Sequence, residues 1–300
     1  MDDLELRIVE SICCVRCGAQ CETRQTDDLL VYTCPEDGTR HVLTVLAPTE
    51  VEVTPTDDPW LDQTLGPCRI VERAGAEGGL PLYHGLHVAL NHPHIVKIAG
   101  GETAKDRSAL GRFVQTARFA AAVRHTAIAN VTHLGKLPDG GLFAVSAPLE
   151  GVPLDEALGG ERLAVRDALR VARALTEALA GLHAKGIVHR NIGPKSVYLS
   201  PASAPLLCNF AFATGPKLPP EAKTVVGQPG YLAPEQAAGG EVDGRADLYA
   251  LGALLYRMAA GRDPFSGGDA SDIVRNQMAG KAPERPPLAA AAPPALVSLV

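Results

Sequence analysis

Between residues 161 and 186 the chain places apolar residues at alternating spacings of four and three. In ERLAVRDALRVARALTEALAGLHAKG, Ala168, Ala172, Leu175, Leu179 and Leu182 fall on one face. That period predicts a long amphipathic helix, and Gly186 supplies its stop signal. RADLYALGALLYRMAAG, 245–261, is apolar on all sides, as expected of a helix buried inside a larger helical domain. ALGRFVQTARFAAAVRH, 109–125, is rich in Ala and Arg and predicts a third helix. Around it, residues 68–150 alternate short apolar runs with Gly and Pro, which predicts a small sheet carrying one helix. Two β-like runs, Leu29 to Tyr32 and His41 to Leu46, lie between turn signals at Cys17-Gly18 and Asp37-Gly38, in a segment (10–45) too small to hold a core unaided. APTEVEVTPTDDPWLDQTLGP, 47–67, is acidic and rich in Pro and Thr, and predicts a linker with one extended segment at Val51 to Val53. APERPPLAAAAPP, 282–294, predicts a loop, and no internal repeat is present.

Composition narrows the class. With 300 residues, 46% hydrophobic and 21% charged, the chain can bury at least one large core. Its net charge is −6 and its 28 Lys and Arg residues are scattered, which argues against a nucleic-acid or acidic-membrane partner. No apolar run reaches the roughly 18 residues of a membrane span, and Met1 to Glu5 lacks the basic-then-apolar pattern of a secretory signal, so the expected location is cytoplasmic. Five of seven cysteines, Cys13, Cys14, Cys17, Cys21 and Cys34, crowd one short segment, and in a reducing compartment crowding favours metal over disulfides. Cys14-Val15-Arg16-Cys17-Gly18 reads as one zinc knuckle, and YTCPEDGTRH supplies the other half of a small zinc-ribbon-like β module over 1–46. Cys14, Cys17 and Cys34 are three candidate zinc ligands; the fourth is His41, Asp37 or Cys21. The competing reading is a set of reduced, partly buried thiols.

Six stretches follow one another in a telling order: AGAEGGLPLY, HIVKIA, VHRNIGPKS, CNFAFA, GYLAPE and DLYALG. In that order and at those separations they resemble the bacterial, eukaryotic-like Ser/Thr protein kinase family over roughly residues 68–300. The resemblance implies an α+β, two-lobed fold: a small β-rich N-lobe with one main helix, about 68–147, and a larger helical C-lobe, about 148–300. In family terms the six stretches are the phosphate-covering Gly-rich loop, the third strand with its lysine, the catalytic loop, the magnesium-binding triplet, the close of the activation segment and a buried helix. Lys97 then matches the strand lysine, and Gly75, Gly78 and Gly79 match the Gly-rich loop, with Pro81 near its third glycine. Ala147 and Leu149 would line the adenine side, beyond the gatekeeper Ser146.

The same resemblance exposes what has changed. The catalytic-loop motif H-R-D-L-x-x-x-N supplies an Asp that accepts the substrate proton and an Asn that binds magnesium. Here those positions are Asn191 and Ser196. An amide has no lone pair that protonates near neutral pH, and losing a positioned general base costs about 10²- to 10⁴-fold in rate. The triplet D-F-G reads Asn209-Phe210-Ala211, so no carboxylate remains there for a hard cation. Gly193 stands where a phosphate-contacting lysine is usual. Thr116 replaces the helix Glu that pairs with the strand lysine, so that ion pair cannot form. Ile95 and Tyr198 add bulk to the adenine slot. Binding of ATP with magnesium is therefore in doubt from the sequence.

Positions that hold the fold are kept. His189, Arg190, Phe210, Ala233-Pro234-Glu235, Asp247 and Gly252 all match. For Asp247, the resemblance implies a tie between the catalytic loop and the buried helix, although helix capping is also open to it; for Glu235 it implies an Arg partner beyond Val300. Thr224 occupies an activation-loop phosphoacceptor position, and Arg190 is the residue that reads such a phosphate. Gln228 replaces a Thr that contacts the catalytic Asp. The resulting expectation is a pseudokinase that binds protein partners, an active kinase among them, as a scaffolding or allosteric module. The alternative is an atypical low-activity kinase or nucleotide-dependent transferase that uses Lys97.

Overall fold

The computed structural model describes residues 12–13, 17, 19–25, 29–44, 58–149, 151–200, 202, 204–218, 224–267 and 269–279. Five short strands come first: β1 (Ile12–Cys13), β2 (Gln20–Cys21), β3 (Thr23–Gln25), β4 (Leu29–Thr33) and β5 (Arg40–Thr44). The small lobe follows with β6 (Thr64–Leu65), β7 (Cys68–Glu77), β8 (Leu80–His87), β9 (Pro93–Ala99), α1 (Glu102–Lys105), α2 (Arg107–Ala122), β10 (Val131–Lys136) and β11 (Leu142–Ser146). The large lobe has β12 (Val152–Pro153), α3 (Leu154–Leu158), α4 (Val165–His183), β13 (Val197–Leu199), β14 (Pro205–Leu207), β15 (Thr224–Gly227), α5 (Pro234–Ala237), α6 (Gly244–Ala260) and α7 (Ala270–Met278).

Strands β10-β11-β9-β8-β7-β6 form one antiparallel sheet. One face buries Ile70, Tyr83, Val96, Ile98, Phe143 and Val145; the other buries Ala99 and Ala144 against Phe113 and Ala117 of α2. Successive residues on a strand point to opposite faces, so this covered sheet shows paired buried neighbours such as Ile95-Val96. Helix α2 starts two residues earlier than its composition predicts, because the Asp106 carboxylate accepts from the Ser108 and Ala109 amides. It stops at Ala122, before extended Val123, short of the predicted 125.

The predicted linker 47–67 is not linker throughout. Asp58 accepts a 2.8 Å hydrogen bond from the Tyr83 hydroxyl, Trp60 and Leu61 pack on the small-lobe core, and β6 pairs with β7. The small lobe therefore takes in residues 58–67. Its Trp and Leu, diluted among Asp, Thr and Pro, carry too little periodicity to reveal this. The extended segment expected at 51–53 lies outside the described residues.

Helix α4 buries Ala168, Val171, Leu175, Ala178, Leu179 and Leu182 along one face, with Ala172 at its margin. Helix α6 buries most of its surface, leaving Arg245, Leu248 and Gly252 exposed along one stripe of its first half, and runs from an Asp243 cap to Gly261, whose φ of 75° ends it. These two helices pack together in the largest core cluster.

The N-terminal strands do not stand apart from the lobes. Strands β3, β4 and β5 form an antiparallel set, and β5 then pairs in parallel with β15 of the large lobe. Cys21, Leu30, Tyr32 and Cys34 share one buried cluster with Val225, Leu232, Ala237 and Val274. A segment too short for its own core completes it with large-lobe side chains.

Candidate functional site

The cleft between the lobes is built from the β7–β8 hairpin above and the catalytic-type loop below. Gly78 and Gly79 form the two-residue turn, with φ of 62° and 76°, a conformation open to glycine and costly for other residues. That tight turn brings Glu77 over Lys97 on β9: Nζ and Oε1 are 2.6 Å apart, and the two side chains are only 17% and 18% exposed. The turn rests on the altered triplet, since a Cβ on Gly78 would sit 2.7 Å from the Ala211 Cβ. Beneath the hairpin lies a cavity of about 60 Å³, lined by Glu77, Ile95, Lys97, Thr116, Leu149 and Asn209 among others. Small-molecule pockets typically measure roughly 300–1,000 Å³.

The sequence-predicted nucleotide residues are thus only partly gathered. Lys97 and Leu149 line the cavity, while Gly75, Gly79, Ala147 and Tyr198 are not among its lining residues. Gly75 sits at a register shift in the β7–β8 pairing, Ala147 donates its amide to the Asn130 carbonyl, and Tyr198 pairs with Leu206 on β14. Thr116 lines the cavity, but its hydroxyl donates to the Phe113 carbonyl of its own helix. Glu77, not a residue of α2, carries the carboxylate that meets Lys97. Sequence reading missed it because the family pattern directs attention to the helix; its position beside Gly78-Gly79 was the available signal.

Below the cavity the neutral side chains are tied into the loop itself. Ser196 Oγ accepts from the Gly193 amide and donates to the Gly193 carbonyl, both at 3.0 Å. Gln228 reaches in from the activation-type segment: its Nε2 donates to the Asn191 carbonyl and Ser196 Oγ, and its Oε1 accepts from the Lys195 amide. A Cβ on Gly193 would lie 2.6 Å from the Gln228 amide group, so the small residue at 193 and the long one at 228 fit each other sterically. Asn209 adopts a left-handed conformation, φ 60° and ψ 62°, and among the described residues its buried Oδ1 has no hydrogen-bond partner.

The loop hangs from α6. Asp247 accepts from the His189 and Arg190 amides at 2.8 Å each and lies 2.8 Å from His183 Nε2. Asp243, four residues earlier, is the helix cap. His189 also bonds the Cys208 carbonyl and meets Phe210 edge-on at 4.7 Å; burial pushes its pKa down, opposed by the Asp247 charge. Gln236, which sequence reading passed over, donates to the Arg190 and Val226 carbonyls. Burial lowers the Arg190 guanidinium to about 10, and its Nε is buried without a partner among the described residues. Thr224 sits on β15, paired in register with Arg40. Glu235 is half-buried in α5.

In the N-terminal module, Cys17 Sγ and Cys34 Sγ lie 3.4 Å apart. Cys14 lies outside the described residues. His41 does not join the two thiols: it is fully buried on β5 and stacked on Tyr32, ring centroids 4.3 Å apart. Asp37 accepts from the Thr39 amide within the 34–39 turn, and Cys21 bonds the Ala19 carbonyl. Among the described residues no three His, Cys, Asp or Glu side chains converge on one point.

A small antiparallel lobe with a strand lysine, set over a helical lobe whose loop hangs from a buried aspartate, is the architecture of a protein kinase domain. The chain belongs to that family: the protein kinase domain model matches residues 82–292. It is similar to the serine/threonine-protein kinase Pkn1 of Myxococcus xanthus, 33% identical over 236 residues that make up 75% of this chain and 34% of the relative. It is also similar to PknL of Mycobacterium tuberculosis, 31% identical over 251 residues, 82% of this chain and 62% of the relative. The chain thus spans less than two thirds of either relative's length. Among solved structures it is similar to the kinase domain of PknI from Mycobacterium tuberculosis, with a TM-score of 0.55 and 27% identity over 70% of this chain and 81% of that one.

Proposed function

We propose that this protein is a catalytically impaired kinase-like domain, a pseudokinase, that works as a protein-binding or allosteric module. The observation that carries the reading is the capture of Lys97 by Glu77 in a domain whose catalytic-loop and metal-triplet positions hold the neutral Asn191, Ser196 and Asn209. An internal carboxylate takes the place where a phosphate would meet the lysine, and the neutral groups below bring no charge to seat a divalent ion. Thermal-shift titration with ATP, with and without magnesium or manganese, tests this. A flat response supports the pseudokinase. A shift that requires the metal overturns it in favour of the second reading, a slow kinase or nucleotide-dependent transferase working through Lys97 once Glu77 swings away.

Two further parts belong to the same reading. Zinc held by Cys14, Cys17, Cys34 and one more side chain would fix the N-terminal turns, and the proximity of Cys17 to Cys34 supports it. Protein partners include an active kinase acting on Thr224. Mass-spectrometric mapping after incubation with such a kinase tests that assignment, and absence of label at Thr224 removes it. No helix among the described residues is long and apolar enough to cross a membrane.

A further inference from the structure

Cys17 and Cys34 are 17 positions apart in the sequence, yet their sulfurs lie 3.4 Å apart, in contact and not joined. The two thiols have unlike surroundings. Cys17 is exposed, whereas Cys34 is 1% exposed and belongs to the apolar cluster that the N-terminal strands share with Val225, Leu232, Ala237 and Val274. Two sulfurs in contact suffice for a disulfide, since a shift of about 1.4 Å brings them to bonding distance. Among the described residues no third His, Cys, Asp or Glu side chain converges on them. The buried residue is also tied into the backbone. The Cys34 amide donates to the Thr39 carbonyl at 2.8 Å and the Cys34 carbonyl accepts from the Gly38 amide at 3.0 Å, which closes the turn between β4 and β5. Just past that turn, Arg40 pairs with Thr33 on one side and with Thr224 of β15 on the other.

We propose that Cys17 and Cys34 are an oxidation site, a reversible disulfide whose closure stiffens the β4–β5 turn and, through β5, the pairing with β15. The oxidant is a small disulfide of the glutathione disulfide type. The exposed Cys17 sulfur attacks it as the thiolate, forming a mixed disulfide and releasing one glutathione. Cys34 then attacks the Cys17 sulfur, which forms the internal bond and releases the second glutathione. Two protein thiols lose two electrons and two protons, and one glutathione disulfide becomes two glutathione thiols. A disulfide with one exposed sulfur is of the labile kind that a thiol pool reduces again. The link removes freedom from the opened form of the segment it encloses, which contains β2, β3 and β4. Reduced, the pair is available to metal; oxidised, it is not, so closure expels any zinc held there. Neither the closure nor its effect on β15 depends on zinc or on how nucleotide binds.

The test uses the full chain, stripped of metal, reduced, and then treated with glutathione disulfide. Tandem mass spectrometry of its tryptic peptides is expected to find Cys34 joined to Cys17. The Cys17→Ser chain is expected to give no such link, and the Cys14→Ser chain, which lacks a proposed zinc ligand, to form it as readily as the parent. Hydrogen exchange is expected to show about tenfold greater protection over 40–44 and 224–227 in the oxidised parent than in the reduced one, with α4 unchanged. Dithiothreitol is expected to reverse the gain, and Cys17→Ser not to show it. Absence of the link, Cys34 joined instead to another cysteine, or a link that leaves 224–227 unaltered overturns the inference. Zinc content of the same samples separates the two roles of the pair. Zinc binding with no disulfide after its removal upholds the metal reading and overturns this one, whereas a disulfide in a chain that never binds zinc upholds the oxidation site alone.

Discussion

At the scale of single residues, the cleft is governed by substitutions that answer one another. Glu77 neutralises Lys97, and Gln228 occupies space that Gly193 leaves. Replacing Glu77 by Ala leaves Lys97 without its carboxylate, and the expected outcome is a nucleotide-dependent thermal shift larger than the parent's, independent of metal. Gly193→Ala puts a methyl group against an amide held by three hydrogen bonds, and chemical denaturation should register a loss of about 1–3 kcal/mol. Adding Gln228→Ser removes the clash, so the double variant should lose less than the sum of the two single ones, and a double-mutant cycle measures the difference. The sequence shows Gly193 and Gln228 as departures from the family pattern and Lys97 as a match, and does not single out Glu77. It does not show the pairing, because Glu77 and Gln228 meet their partners only after the hairpin and the activation-type segment have folded over the cleft.

At the scale of elements, periodicity revealed what periodicity can encode. The α4 stripe is plain because a helix with one wet face must repeat its apolar residues, and α6 is plain because burial of most of its surface demands apolar residues on most sides, exposed Leu248 being the exception. The strand Thr64–Leu65 was hidden, since two residues cannot display a period. The same limit hides β15, whose Thr-Val-Val-Gly reads as loop until its partner strand is known. The junction of the loop with α6 yields a pH dependence. His189 is fully buried and its pKa lies below the ordinary 6.5, so the unfolded chain binds its proton first as pH falls. Stability from this group is complete above pH 6.5 and declines below it, by up to about 1.4 kcal/mol per pH unit until the folded-state pKa is reached. Denaturation midpoints measured between pH 7.5 and 5 should fall, and His189→Gln should flatten that slope.

For the whole molecule, strands β3 to β5 share one sheet with β15 of the large lobe, and Cys21 and Cys34 share one apolar cluster with large-lobe side chains. If zinc organises the module, removing it disturbs β15 as well. Metal analysis of the purified chain should find close to one zinc, reduced by Cys34→Ser. Treatment with a chelator should lower the main unfolding midpoint, rather than produce a separate early transition. The two-lobed arrangement could be read from the order of its motifs. The placement of the module against the large lobe could not, because its determinants, Leu30 and Tyr32 on one side and Val225 and Val274 on the other, are unremarkable apolar residues in distant parts of the chain.

That distance has a consequence for synthesis. Strand β5 leaves the ribosome long before its parallel neighbour β15 has been translated, and at about 5–20 residues per second the wait is on the order of ten seconds or more. During that interval the nascent N-terminus exposes an unmatched strand edge with Leu30 and Tyr32 beside it, a feature prone to mispairing with other nascent chains. Glu50, Glu52, Asp57 and Asp58 follow that strand in the sequence, and charges close to a strand edge disfavour pairing between two such edges once they come within the roughly 8 Å over which charges act at physiological salt.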